Sequence, residues 1–315
     1  MEADGTLPLR VYLTVDHSDL AAGTAPPSGS RSPGGLATCE RVKLFGDGSL
    51  GAETAAIRGA YNAEDGSERG GAEEEGLLIQ PDDELAAKIV DAKSQGFRLE
   101  IHAIGDRAAA SVLDGLERAG VTPAERPVMT HCQLLGADLI ERMERMQCIA
   151  NIQPQFVVTD APFARTRLPA RIQEHAYVWK TLLDAGIPCA GGSDAPVEVP
   201  APLMGMHDAI FRRSAGAEPS DAYKPEQALS FEQALDICEC RHGLSPRCRS
   251  DAETVAANRL ARAQHQRRAA AAPRGGAGRP AAGRTAAAAA RAEPDRAAGS
   301  EGAGRVVQGH EGVLG

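Results

Sequence analysis

The stretch FRLEIHAIGDRA, residues 97–108, decides the architecture. It begins after Gly96, runs as a short apolar segment through Phe97, Leu99 and Ile101, and reaches His102. The charged turn that follows, Asp106-Arg107, opens an Ala-rich helix. A buried-looking strand that ends on a histidine and passes into a helix fits one unit of a parallel sheet with crossover helices.

Working outward, the same rhythm recurs. Strands are expected at LRVYLTV (9–15), RVKLF (41–45), RPVMTHC (126–132), CIANIQ (148–153) and IPCAGGS (187–193). The helix ahead of the quoted stretch places acids in its first turn at Pro81-Asp82-Asp83-Glu84 and stops at Gly96. Others are expected at 106–119, stopped by Gly120, at 137–147, with Leu139, Ile140, Met143 and Met146 on one face, and at 175–185, stopped by Gly186. A last short helix follows Ser230, whose Ser-x-x-Gln spacing suits a capping box. Two loops, 21–35 and 46–76, are long enough to suggest that they serve a site.

The chain of 315 residues carries net charge −9, unevenly spread. Residues 241–315 hold 13 Arg, no Lys and 6 acids, leaving +7 there and −16 on 1–240. The tail is mostly Ala, Arg, Gly and Pro and is expected to be disordered, with at most a fleeting helix at 285–293. An acidic body and a tail without stacking aromatics argue against nucleic acid as the main partner. No apolar run suits a membrane span, and Met1 to Gly5 does not resemble a secretory signal. Seven cysteines without regular spacing suggest reduced thiols and a cytoplasmic setting.

Four polar side chains stand at or just past the ends of apolar runs: Lys43, His102, His131 and Asp194. In a parallel barrel the C-terminal strand ends converge on one face, so residues distant in sequence meet there. Two imidazoles and a carboxylate are borderline and hard metal ligands. A lysine could join them only as an anionic carbamate. Asp47, Gly48 and Gly51 suggest a turn beside the site, or a turn that merely needs positive φ. Asp106 and Arg107 read as a helix cap and a surface ion pair; Tyr177 and Trp179 read as core, and His17, His175 and His207 as surface or packing residues. Neither Cys238, Cys240, His242 and Cys248 nor GGAEEEG has the spacing of a zinc knuckle or a phosphate loop.

The strings KLFGDGSLGAETAAI, IHAIGDRA, THCQ, NIQPQF and GGSDAPV together resemble the amidohydrolase superfamily, and within it the branch of N-substituted formamide deformylase. The resemblance covers roughly 9–237 and implies a (β/α)8 TIM-like barrel. It places Lys43 as the fourth-strand lysine able to carry a bridging carbamate, and His102 and His131 as the fifth- and sixth-strand ligands. Asp194 takes the place of the eighth-strand aspartate that binds metal and shuttles a proton. The implied cofactor is a divalent metal, with zinc expected. The implied reaction is hydrolysis of a carbon–nitrogen bond other than a peptide bond, in a small amide or an N-formyl or N-acyl amine.

Two departures qualify this expectation. The family's first-strand His-x-His tripeptide occurs nowhere in the chain. By the matched motifs LRVYLTV counts as the third strand, so about six of eight strands are expected, as an incomplete barrel truncated at its N-terminus over 1–240. Beyond about residue 238 the family pattern gives way to the Arg- and Ala-rich tail of 241–315, which suggests an out-of-frame or mis-spliced reading, or else a genuine tail. The rival to an active hydrolase is an inactive fragment or binding remnant. A deaminase is a further alternative, against which Lys43 speaks. Substrate identity and oligomeric state are not legible.

Overall fold

The computed structural model describes residues 5–7, 10–69 and 75–238. They lie in one compact unit. The expectations for the tail 241–315, and for Cys240, His242 and Cys248, fall outside the described residues.

Six parallel strands form one sheet: β1 (Val11–Asp16), β3 (Ala37–Phe45), β4 (Arg98–Ala103), β5 (Val128–His131), β6 (Ile149–Ile152) and β7 (Cys189–Gly191). They are hydrogen-bonded in that order, and a two-residue β2 (Ser30–Arg31) pairs antiparallel with β3. Among the described residues the sheet does not close: β1 and β7 are its edges. The result is a curved half-barrel, as the sequence led us to expect.

The short helix α1 (His17–Ala21) follows β1, and helices α2 (Asp82–Ser94), α3 (Asp106–Arg118) and α4 (Ala137–Met146) cross between successive strands. On β4, Leu99, Ile101 and Ala103 are buried, whereas Arg98, Glu100 and His102 on the other face are only partly covered. The period of two thus sends apolar side chains toward the helix layer and polar ones toward the concave side of the sheet. Ile89 of α2, Val112 and Leu116 of α3, and Leu139 and Met143 of α4 belong to the same buried core.

Helix α8 (Trp179–Asp184) begins later than the periodicity predicts. Tyr177 has φ +52° and Ala176 bridges to Leu134, so the backbone is committed elsewhere until residue 178. Tyr177 and Trp179 are fully buried core residues. The segment 156–173 folds into three short helices, α5 (Phe156–Thr159), α6 (Ala161–Arg167) and α7 (Ala170–Gln173), which the sequence pattern does not reveal. Helix α9 (Pro202–Phe211) precedes α10 (Phe231–Cys238), whose capping box is made: Ser230 N donates to Gln233 Oε1 and Gln233 N donates to Ser230 Oγ.

Candidate metal and substrate site

The C-terminal ends of β3, β4 and β5 bring Lys43, His102 and His131 to one rim of the half-barrel. In register, Lys43 lies beside Glu100 and Phe45 beside His102, while Ala103 lies beside His131. His131 is the last residue of β5 and has φ +82°; Cys132 follows at φ +51°. Two successive non-glycine residues on the left-handed side are costly and mark a place where tertiary structure fixes the backbone. The distortion brings the His131 ring within 4.4 Å of the His102 ring, centroid to centroid, edge to face at 71°. Phe156 stacks on His131 at 5.8 Å, 13° from parallel.

Each imidazole has one nitrogen held by the protein. His131 Nδ1 lies 2.8 Å from Gln153 Oε1, an acceptor, so Nδ1 carries the proton and Nε2 keeps its lone pair. His102 Nε2 lies 2.9 Å from the Gly48 carbonyl oxygen and 3.1 Å from Asp47 Oδ1. Both are acceptors, so Nε2 is the protonated nitrogen and Nδ1 keeps its lone pair when the ring is neutral. This is the arrangement in which an outer acceptor fixes the tautomer of a metal-binding histidine. Burial, then the neighbouring His102 and Lys43, pull the His131 pKa down to about 3, which keeps it in the neutral form a metal needs.

Asp47 organises this corner. It is buried, and its Oδ1 accepts from Ile104 N at 3.0 Å while Oδ2 accepts from Gly105 N at 2.8 Å and Ala56 N at 2.9 Å. The carboxylate therefore ties the turn after β3 to the turn after β4 while touching His102. Gly48 is required by space rather than by positive φ: a Cβ there would lie 2.2 Å from Thr54 Oγ1. Gly105 is required in the same way, with a Cβ 1.8 Å from the Ala56 oxygen.

Asp106 corrects the sequence reading. Gly105 is the N-cap of α3; Asp106 is its first residue, buried, and Oδ1 accepts from Arg58 N at 2.8 Å. It anchors the long loop instead of capping the helix, and burial raises its pKa. Arg107 does form an ion pair, with Glu75 at 3.3 Å.

Lys43 Nζ lies 3.5 Å from Glu100 Oε1 and over the Phe45 ring. Glu100 also accepts from Thr130 Oγ1 at 3.1 Å and Thr14 Oγ1 at 3.3 Å. Glu100 and Gln153 were not singled out from sequence. The signal for Glu100 was available in its position two residues before His102, on the same strand face. Asp194 lies on the exposed turn after β7, with φ +55°, and its carboxylate forms no hydrogen bond or ion pair with His102, His131 or Lys43. Among the described residues no three His, Cys, Asp or Glu side chains converge as a ligand group. The two imidazoles suit a divalent ion by chemistry and tautomer. Lys43 Nζ is paired with Glu100, and an unmodified ammonium group does not ligate a metal.

Among known proteins, the chain matches the Amidohydrolase family over residues 1–238. It is 32% identical over 235 residues to the YtcJ protein of Bacillus subtilis (strain 168), covering 75% of this chain and 42% of that protein. It is 28% identical over 198 residues to protein LONG AFTER FAR-RED 3 of Arabidopsis thaliana, covering 62% of this chain and 32% of that one. Its fold is similar to that of an uncharacterized metal-dependent hydrolase from Pyrococcus furiosus, with a TM-score of 0.61 and 28% identity, over 75% of this chain and 46% of that one. A counterpart from Pyrococcus horikoshii OT3 gives a TM-score of 0.63 at the same identity. The chain thus spans less than half the length of these relatives. The half-barrel of parallel strands and the match over 1–238 show that this chain belongs to the amidohydrolase family.

Proposed function

We propose that this chain serves the metal-dependent hydrolysis of a carbon–nitrogen bond other than a peptide bond, in a small amide or an N-formyl or N-acyl amine. The observation that carries the reading is the His102–His131 pair, rings 4.4 Å apart, each with one nitrogen fixed by a protein acceptor. In this reading His102 Nδ1 and His131 Nε2 hold a divalent ion, zinc being the natural candidate for imidazole ligands. Such an ion would lower the pKa of a bound water toward neutrality and polarise a carbonyl.

The remaining roles belong to the protein's own groups. Phe156, stacked on His131, shields that ring from water. Gln153 and Asp47 hold the two rings in their tautomers. Asp194 takes a proton from the attacking water on a carboxylate oxygen and hands it to the departing nitrogen. Lys43 joins the ligands only as a carbamate, which requires Glu100 to release its ammonium group. Asp47 and Gly48 shape the substrate side of the turn after β3. The acidic body speaks for a small molecule over nucleic acid, in a cytoplasmic setting.

A second reading, a remnant that binds without turnover, is favoured by one observation: no third ligand stands with the two histidines among the described residues. Hydrolysis assays on N-formyl and N-acyl amines, with metal content measured on the same sample, separate the two. Turnover that falls to background in His102→Ala supports the hydrolase. Bound metal without turnover supports the remnant.

A further inference from the structure

A cavity of about 220 Å3 adjoins the Phe156 ring that stacks on His131. The same connections that carry the site build it: Ser49 comes just after the Gly48 carbonyl that holds His102, Ile104 just after β4, and Gln133 two residues beyond His131. Phe156 is the shared wall, lining the cavity while stacking on His131. Asp160 and Glu198 complete its polar end.

The hydrogen-bonding inventory of that end is lopsided. Asp160 Oδ2 accepts from Tyr177 Oη at 2.6 Å and from Gln133 Nε2 at 3.3 Å. The carboxylate therefore fixes the Gln133 amide with its NH2 toward Asp160 and its carbonyl oxygen the other way. Gln133 is 1% exposed, and its Oε1 is buried without a hydrogen-bond partner. A buried carbonyl oxygen left unpaired is uncommon and calls for an explanation. Among the described residues Glu198 forms no ion pair or hydrogen bond, and no cation pairs with Asp160. Burial raises the Asp160 pKa, and the nearby Glu198 charge raises it further. The cavity lining thus carries two carboxyl groups, one of them without a partner, beside a half-satisfied amide, and no Lys, Arg or His side chain.

We propose that this cavity is the substrate-side specificity pocket of the site, and that it takes an ammonium or comparable N–H-bearing group on the substrate, bound by Asp160 and Glu198. Its small volume suits the end of a short side arm, with the scissile bond left at the histidines on the other side of Phe156. The assignment of the cavity to a substrate rests on the hydrolase reading above; its preference for a donor rests on the acceptors alone.

The test compares N-(3-aminopropyl)formamide with N-butylformamide, which differ by an ammonium in place of a terminal methyl. Binding to the full chain is read by NMR titration, and hydrolysis is followed in the same samples. The aminopropyl compound is expected to bind about tenfold or more tightly, the scale of a charge-assisted hydrogen bond. That ratio should fall toward one in Asp160→Asn and in Glu198→Gln. Glu198→Gln changes a group on the loop after β7 that holds nothing else in place, so it reports on recognition even if Asp160→Asn loosens the fold. Equal binding of the two compounds, binding of neither, or a preference that survives both substitutions overturns the pocket assignment. A preference that is present and carboxylate-dependent, with no hydrolysis, upholds the pocket and counts against the hydrolase reading alone.

Discussion

The His131 Nδ1 to Gln153 Oε1 hydrogen bond, 2.8 Å long, links the end of β5 to the segment just after β6 and decides which His131 nitrogen is available. Gln153 Nε2 is in turn held by the Asn151 carbonyl at 3.2 Å, so the amide cannot easily turn over. Replacing Gln153 by Leu keeps the bulk and removes the acceptor. Zinc affinity should drop by roughly 10- to 100-fold, the usual cost of losing an outer-shell partner. Competition titration against a chromogenic chelator, with a thermal melt to show that the fold is intact, checks this.

Asp47 should matter to stability more than a surface acid of equal charge. Asp47→Ala leaves the amides of Ala56, Ile104 and Gly105 without their acceptor in a buried corner. A loss of about 3 kcal/mol or more follows from the cost of unsatisfied buried donors. Asp47→Asn, which still offers one oxygen, should lose less. Urea unfolding of both variants measures the difference.

The Lys43–Glu100 pair sets the terms for any carbamate. The Glu100 carboxyl group lies 3.5 Å from Lys43 Nζ, where a carboxylate disfavours an anionic product. Glu100→Gln removes that effect, so in 13C-bicarbonate the Lys43 carbamate NMR signal should be stronger in the variant than in the unchanged chain. Lys43→Ala must abolish it.

Burial also silences thiols. Cys132, Cys148 and Cys189 are fully buried; burial raises the pKa of Cys132 well above its ordinary value and pushes Cys148 and Cys189 up to about 12. A raised pKa means less thiolate, which is the reactive form. Near neutral pH, iodoacetamide should leave all three unmodified in the native protein and modify them after denaturation, as peptide mass spectrometry will show.

Much of this architecture was legible because strands and helices carry periodic signals. Each of the six parallel strands coincides with an apolar run, and Gly96, Gly120 and Gly186 stop helices where expected, with positive φ. The long loops were harder. Ser30–Arg31 adds an antiparallel strand through two residues, too few to show a pattern, and helices α5 to α7 are only 4 to 7 residues long. The site was half legible. His102 and His131 announced themselves by residue type at strand ends. Glu100 and Gln153 looked ordinary, since what makes them matter is a neighbour on another strand. Asp106 was misjudged because its Arg58 partner is 48 residues away and no local pattern encodes that contact.

In the proposed site His102 and His131 hold one divalent ion between them. X-ray absorption on the zinc-loaded full chain tests it most directly. Zinc is expected to bind near one equivalent, with imidazole scattering that is reduced in His102→Ala and in His131→Ala and lost when both are replaced. A chain that takes up no zinc, or whose zinc spectrum is unchanged in the double variant, would contradict it.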